Sequence, residues 1–358
     1  MGLFDNMLNS DESLIIDDAP LDFEFVPKMI KYREKEQFHI ANSFKPLFNN
    51  RSGRNILVHG PPGIGKSVAI RNVLTELESE TDNINVFFVN CWRHNTTYKI
   101  LIEISNLFGY HFTQNKKTVE LYKLLEEKLN DKPCIFVFDE IDRATDPDFL
   151  YFILEKILKK SIVLITNYPS WLQDLDMRVR SRLAPEMLDF KDYNKKEIEG
   201  ILQERLSYAF SVNAWDKEAF NLVVEKTAEI KDIRLGLFLL KEAGLCAEEK
   251  SSRNIIVDFV NKALTKVDDF TIKKADSLDP ETKSIFALIK EHSGKKIGDL
   301  FALYQEEGGT SSYKTFQRKV TKLGEGKFIS LTKQTGKGGN TTIVDLIDYW
   351  FSVYKILS

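Results

Sequence analysis

The chain has 358 residues, with 43% hydrophobic and 29% charged residues and a formal net charge of −3. This length exceeds what one compact core usually organises, so the composition predicts an ordinary soluble protein of two or three domains. Because the net charge is slightly negative, any surface that binds nucleic acid must be local. Three widely spaced cysteines exclude a disulfide framework. No apolar run reaches the roughly 18 residues that cross a bilayer, and the N-terminus lacks a signal peptide's basic region, so we expect a cytoplasmic protein without a membrane partner.

The first half of the chain has the pattern of an α/β domain. Residues 1–20 contain five acidic residues and no Lys or Arg, which predicts an acidic N-terminal arm. Five short apolar runs then alternate with helical patterns: NILVHG, NVFFVN, CIFVFDE, SIVLITN and MLDF. Continuous apolar strands between amphipathic helices predict a parallel sheet covered on both faces. We assign residues 21–190 to this base domain.

The segment Gly60–Ser67 reads GPPGIGKS and fits the phosphate-loop pattern G-x-x-x-x-G-K-[ST], with a strand pattern before it and a helix pattern after it. Glycines let successive backbone N–H groups point into one concavity, and the helix N-terminus adds partial positive charge. Lys66 is predicted to bridge the β- and γ-phosphates, and Ser67 to ligate Mg²⁺. The segment therefore predicts bound ATP or ADP in contact with Pro62, Gly63, Ile64, Gly65, Lys66, Ser67 and Val68.

A second polar pair follows a buried strand. The run CIFVFDE delivers Asp139 to the carboxyl end of the strand, where it is predicted to hold the Mg²⁺ water shell. Glu140 is predicted to polarise the attacking water. The simpler alternative is a strand that ends in acidic turn residues, which the phosphate loop upstream disfavours.

The second half of the chain predicts two further domains. From 191 to 275 the strand pattern stops and only helical patterns remain, which predicts a compact helical lid. From 276 to 358, helices are followed by two β-like runs, KFISLTK and TTIVDLI, joined by QTGKGGN. Helices followed by a hairpin are typical of a winged helix.

A local basic surface is predicted in that last domain. Between Ser311 and Asn340 there are seven basic residues and one acidic residue. Lys314, Arg318 and Lys322 recur every four residues on one face, which suits a recognition helix in the major groove of double-stranded DNA. A solvated basic face is the alternative. The predicted DNA contacts of this domain are Lys314, Arg318, Lys319, Lys322, Lys333, Lys337 and Asn340.

The run GPPGIGKS followed by FVFDEID resembles the AAA+ ATPases. The resemblance implies that Asn167 is the sensor-one residue near the γ-phosphate, with a turn-forming strand-end Asn as the alternative. It implies that Arg182 is an arginine finger presented to a neighbouring subunit, with Arg178 and Arg180 as competitors. Arg234 would be the sensor-two residue, or else a surface arginine at a helix start.

The order of these motifs resembles one branch, the archaeal-type replication initiators of the origin-recognition-complex subunit one and cell-division-control protein six family. The entry segment FEFVPKMIKYRE implies that Val26, Pro27 and Arg33 lie near the adenine, and the lid entry adds Tyr193 and Arg205. A DNA-contacting helix of the base would fall in CWRHNTTYKILIEISNLFG, with Arg93 and Lys99 as candidates. The same stretch fits a covering helix with Leu101, Ile104 and Leu107 in the core.

Two departures from the family pattern are visible. Ser67 stands where Thr is commoner, which is equivalent for Mg²⁺, and Lys231 stands before Asp232-Ile233-Arg234 where the family often has glycine. The resemblance implies a nucleoid-associated initiator that binds double-stranded origin DNA, recruits or loads the replicative MCM helicase, works with paralogous initiator subunits, and uses ATP and slow hydrolysis as a switch. The alternatives are an ADP-locked DNA-binding module without catalysis and a clamp-loader-like ATPase.

Overall fold

A computed structural model describes residues 13–113, 116–276, 279–325, 329–336 and 339–346. Most of the predicted acidic arm, and Lys337, lie outside these residues. The chain forms two compact units, Met1–Val257 and Asp258–Ser358. The boundary between the two units falls at the start of a continuous helix, Val257–Asp276. The predicted limits of the three domains, at 190/191 and 275/276, stay a prediction.

A five-stranded parallel sheet forms the centre of the first unit. The strands are β1 (Ile56–His59), β2 (Asn85–Asn90), β3 (Cys134–Asp139), β4 (Lys160–Thr166) and β5 (Glu186–Asp189). They lie in the order β2-β3-β4-β1-β5, with every neighbouring pair parallel. Every residue of β3 is buried, as its continuous apolar run predicts. The carboxyl ends of β1, β3 and β4 therefore meet at one edge of the sheet, which confirms the predicted fold class.

Helices connect and cover these strands. In chain order they are α1 (Glu34–Phe48), α2 (Lys66–Glu80), α3 (Thr97–Leu107), α4 (Thr118–Leu129), α5 (Asp148–Lys156), α6 (Trp171–Asp174) and α7 (Met177–Leu183). The core packs Phe87, Phe136 and Phe138 of the sheet against α3, α4 and α5. Leu101 and Ile104 of α3 are buried, as expected of a covering helix, whereas Leu107 is 47% exposed.

The helical part of the first unit begins with a capping box, in which the side chain of Asn194 accepts hydrogen bonds from the N–H groups of Lys196 and Glu197. Its helices are α8 (Lys195–Ala209), α9 (Lys217–Ile230) and α10 (Ile233–Glu249). The N-terminal segment lies on them, since the N–H of Ile16 donates to Ala209 O at 2.8 Å. The same segment then reaches the sheet side of the unit, where Pro27 O accepts from Asn72 Nδ2 of α2 at 3.1 Å.

The second unit holds α11 (Val257–Asp276), α12 (Pro280–Glu291), β6 (Lys295–Lys296), α13 (Ile297–Glu306), α14 (Tyr313–Glu325), β7 (Ile329–Gly336) and β8 (Gly339–Leu346). Its three-stranded antiparallel sheet has the order β6-β8-β7. Leu300, Phe316, Val320, Leu323 and Val344 join helices and sheet in one core. Three helices followed by a hairpin match the predicted pattern. No helix in the described part of the chain is long and apolar enough to cross a membrane.

Candidate nucleotide-binding site

The predicted phosphate loop joins β1 to α2 at the carboxyl edge of the sheet. Gly63 and Gly65 have φ values of +73° and +84°, a region that side chains rarely adopt. Space is also restricted, because a Cβ on Gly63 would overlap Oδ1 of Asp232. The glycines therefore allow both the left-handed backbone and a close approach by another part of the chain.

Lys66 is buried in this loop. Its Nζ donates to Gly60 O at 2.8 Å, to Pro61 O at 2.7 Å and to Asn167 Oδ1 at 2.7 Å. Burial lowers the pKa of Lys66 to about 8, and the nearby Asp139 carboxylate opposes that shift. The structure thus brings Lys66 and Asn167, far apart in sequence, to one point at the ends of β1 and β4.

Ser67 and Asp139 form the second contact of the site. Ser67 Oγ donates to Asp139 Oδ1 at 3.0 Å, and the same oxygen accepts the N–H of Glu140. Desolvation raises the pKa of the buried Asp139 carboxyl, while the Ser67 hydrogen bond opposes the rise. A hydroxyl and a carboxylate side by side are hard oxygen donors of the kind that Mg²⁺ prefers, so these residues fit the ion.

Glu140 lies just beyond the strand end in the left-handed region, with φ of +53°. It precedes a 3₁₀ turn over Ile141–Arg143, whose first residue is fully buried. Burial, followed by the charge of Asp139, raises the pKa of Glu140 to about 7. A carboxyl group that titrates near neutrality suits proton transfer at physiological pH.

The helical part of the unit contacts the phosphate loop at the start of α10. Asp232 caps this helix by accepting the N–H of Arg234 at 2.9 Å, and the two side chains form an ion pair at 2.5 Å. The N–H of Ile233 donates to Gly63 O at 3.2 Å. Asp232 therefore holds Arg234 next to the phosphate loop. The sequence analysis did not assign Asp232 to the site. Its acidic side chain at a helix N-cap was the available signal.

The substitution of Lys231 for glycine is accommodated locally. Lys231 ends α9 with φ of +61°, the conformation that favours glycine, and its Nζ donates to Asp192 Oδ2 at 2.9 Å. The turn before Asp232 therefore keeps the backbone that a glycine would give.

Arg33 and Tyr193 lie together behind the phosphate loop. Arg33 is 4% exposed and donates to Lys191 O at 2.6 Å and to Ile64 O at 3.3 Å. Its guanidinium lies 4.0 Å from the ring centre of Tyr193. The Tyr193 hydroxyl in turn lies beside Gly65. This pair connects the loop to the chain that enters α8.

Arg205 supports a neighbouring segment. Its guanidinium donates to Pro20 O at 3.2 Å and to Phe25 O at 3.4 Å, and it lies over the Phe25 ring. These contacts hold the chain just before Val26 and Pro27. Arg205 therefore supports the entry segment, and its direct contact with the nucleotide stays a prediction.

The predicted arginine-finger segment lies on α7. Arg182 is exposed, and its guanidinium lies 5.1 Å from the ring centre of Tyr151. Arg178 and Arg180 are also exposed, and Arg178 pairs with Asp176 at 3.6 Å. Action of Arg182 on a neighbouring subunit stays a prediction.

The predicted DNA contacts separate into two groups. On α14, Lys314, Arg318 and Lys322 are exposed, while Phe316, Val320 and Leu323 fill the core on the opposite face. Lys319 is different, since its Nζ lies 2.6 Å from Asp279 Oδ1 and 3.2 Å from Glu281 Oε2. The DNA contact of Lys319 stays a prediction, and here its ammonium pairs with two carboxylates of its own unit.

The remaining candidates are exposed or only partly described. Arg93 pairs with Glu24 at 3.3 Å on the surface, and Lys99 is exposed near Asn95. For Lys333 on β7 and Asn340 on β8, the backbone position is described; Asn340 pairs with Thr335 close to the hairpin turn.

Comparison with protein-family models identifies the class of protein. Residues 50–167 match the model of an AAA domain, and residues 199–265 match that of the Cdc6 AAA+ ATPase-type lid domain. Together with the phosphate loop and the parallel sheet, these matches define an AAA+ protein with a nucleotide-binding site.

Similarity to curated DNA replication proteins extends over nearly the whole chain. The chain is 28% identical over 353 residues to the ORC1-type DNA replication protein 2 of Methanosarcina mazei, covering 93% of each. It is 27% identical over 369 residues to the ORC1-type DNA replication protein 1 of Methanothermobacter thermautotrophicus, covering 97% of this chain and 96% of the relative. These matches bear out the predicted resemblance to the origin-recognition-complex subunit one and cell-division-control protein six family.

Solved structures share the fold over nearly the whole chain. The Aeropyrum pernix ORC1 protein, solved in complex with DNA, has a TM-score of 0.71 at 24% identity and covers 97% of each chain. Cdc6p from Pyrobaculum aerophilum has a TM-score of 0.64 at 17% identity and covers 96% of this chain and 99% of its own.

Proposed function

We propose that the protein is an ATP-switched DNA replication initiator that binds double-stranded origin DNA. The observation that carries the proposal is the seating of the α10 start on the phosphate loop. Asp232 lies over Gly63 and holds Arg234, and Lys66 of the same loop meets Asn167. A nucleotide bound at this loop contacts both the sheet and the helical part, so its γ-phosphate can change how they meet.

The chain's own residues supply the parts that hydrolysis needs. Ser67 and Asp139 would hold Mg²⁺, which supplies charge neutralisation on the phosphates when bound. Glu140 as a carboxylate accepts a proton from the attacking water, whose oxygen bonds the γ-phosphorus as the bond to the β-phosphate oxygen breaks. Lys66, Arg234 and a neighbour's Arg182 stabilise the charge that develops. Turnover is slow because a switch needs two states rather than flux.

The DNA-binding surface of the proposal is the exposed face of α14. Lys314, Arg318 and Lys322 present three cations there, while the buried face anchors the helix in the core. Each cation that neutralises a phosphate increases the salt dependence of binding by about one unit. The names of the relatives and the DNA-bound ORC1 structure support this role. Recruitment of the replicative MCM helicase and cooperation with paralogous subunits complete the proposal.

Genome-wide footprinting combined with nucleotide binding tests the function. Protein freed of carried-over ligand should bind ADP and ATP, and in cells it should occupy a few discrete sites. Lys66→Ala should lose nucleotide binding, while the Arg318→Gln, Lys322→Gln double variant should lose the sites and keep the nucleotide. Scattered occupancy, or no affinity for adenine nucleotides, would refute an origin-type role. Equal and negligible turnover in wild type and Glu140→Gln with intact DNA binding would support the ADP-locked module instead.

A further inference from the structure

A hydrogen-bonded contact joins the end of β4 to the 3₁₀ turn that follows β3. Thr166 is the last residue of β4 and is 1% exposed, and its Oγ1 donates to Asp142 Oδ1 at 2.7 Å. Asp142 lies within the turn Ile141–Arg143, directly after Glu140. The side chain of Asp142 is 13% exposed. The contact is therefore largely sheltered from water, where a charge-assisted hydrogen bond is strong.

The same hydroxyl also binds the backbone on the far side of Asn167. The N–H of Tyr168 donates to Thr166 Oγ1 at 3.0 Å. One hydroxyl can donate one hydrogen bond and accept others, so both roles are filled at once. Asn167 is thereby enclosed between two fixed positions, while its own Oδ1 accepts from Lys66 Nζ at 2.7 Å.

The turn that carries Glu140 is fixed from its other side. The N–H of Arg143 donates to Glu140 O at 2.9 Å, and the side chain of Ile141 is fully buried. The Asp142–Thr166 contact is thus a direct polar connection between the segment of Glu140 and the segment of Asn167. Both of these residues would orient the water in the proposed reaction.

We propose that Asp142 and Thr166 are positioning residues that set the distance between Glu140 and Asn167. The assignment rests on the proposed function, because it concerns the same phosphate site. Neither residue touches the nucleotide in this proposal. They act by holding Asn167 at the γ-phosphate, and displacements on the order of 1 Å in such sites reduce rates about 100-fold.

Thr166→Val tests the assignment because it removes the hydroxyl with little change of shape. Thr227→Val is the matched control, since Thr227 is also fully buried and its Oγ1 donates to Val223 O at 2.7 Å, within α9. We expect Thr166→Val to bind ADP within about threefold of wild type. Its preference for a non-hydrolysable ATP analogue over ADP should fall about tenfold, and turnover about 100-fold. Thr166→Ser should restore both, and Thr227→Val should change neither.

A double-variant cycle separates positioning from general weakening. Thr166→Val added to Asn167→Ala should cost no more than Asn167→Ala alone, since both remove the same interaction. Additive losses, or a lowered melting temperature with unchanged nucleotide preference, would overturn the assignment. If wild type binds adenine nucleotides without preferring the ATP analogue, the assignment also fails. If wild type binds none, the proposed function fails together with it.

Discussion

The guanidinium of Arg33 stacks on the ring of Tyr193, 4.0 Å from its centre, while it donates hydrogen bonds to Lys191 O and Ile64 O. One buried side chain thus joins the phosphate loop to the chain that enters α8. The planar guanidinium permits this combination, because it can stack and donate in several directions together.

Arg33→Lys should therefore destabilise the first unit although the charge is kept. The ammonium cannot stack and donate along the same directions, so we expect a loss of about 2 kcal/mol in the free energy of unfolding, measured by urea denaturation. Arg54→Lys is the control, because Arg54 is 67% exposed and pairs with Glu186 on the surface. Equal small effects of the two substitutions would contradict the role given to Arg33.

Gly63→Ala should weaken nucleotide binding at least tenfold. The new Cβ would overlap Oδ1 of Asp232 in addition to occupying an unfavourable backbone region. Gly109→Ala shows the cost of the unfavourable backbone region alone. Gly109 has φ of +88°, and a Cβ added there would meet nothing within 4 Å. Adding Asp232→Ala to Gly63→Ala should recover part of the lost affinity. Full affinity of Gly63→Ala in a fluorescent-ADP titration would show that the α10 start does not seat on the loop.

Nucleotide binding should take up a proton above pH 8. The pKa of Lys66 is lowered to about 8 in the free protein, so at pH 8.5 roughly a quarter of the molecules carry the ammonium form. Phosphate oxygens favour that form, and affinity should fall as the pH rises further. Calorimetry in two buffers of different ionisation enthalpy measures the uptake. Lys66→Arg, which stays charged, should abolish it; uptake that persists in this variant would assign it to another group.

Glu140→Gln should be more stable than wild type at pH 8 while turnover falls at least 100-fold. Burial raises the pKa of Glu140 from 4.5 to about 7. In wild type, the protonated Glu140 carboxyl stabilises the fold below pH 4.5. This contribution, about 3 kcal/mol in the free energy of unfolding, is lost as the pH rises through 7. Urea denaturation should show the gain at pH 8 and little difference at pH 4.5. The same gain at both pH values would mean that ionisation is not its cause.

Arg318→Gln and Lys319→Gln should differ although both remove one charge from neighbouring positions of α14. Arg318 is exposed, so its loss should reduce the slope of log K against log salt by about one unit. Lys319 is held by Asp279 and Glu281, so its loss should lower the melting temperature of the second unit and leave the slope unchanged. Equal slope changes in a duplex-binding titration would show that Lys319 contacts DNA as Arg318 does.

The fold could be predicted because its signals are local. The apolar run of β3 and the glycine pattern before Lys66 each specify an element and its position at the sheet edge. The contacts that complete the site depend on residues far apart in sequence, such as Gly63 with Asp232 and Asp142 with Thr166. The charge pattern of α14 predicted a basic face, but the partner of Lys319 lies forty residues earlier in the chain, at Asp279. The periodicity of apolar and charged residues along the sequence does not predict such long-range contacts.

The N-terminal segment has a mechanical consequence. Ile16 is hydrogen-bonded to the end of α8, and Pro27 is hydrogen-bonded to α2, so one short stretch of chain tethers both sides of the nucleotide cleft. Because Arg205 of α8 also holds Pro20 O and Phe25 O, little free chain remains between Phe25 and Pro27, and the cleft could open only slightly before one attachment breaks. The rate of nucleotide release would then depend on the detachment of this N-terminal segment as well as on the affinity of the phosphate loop for the nucleotide.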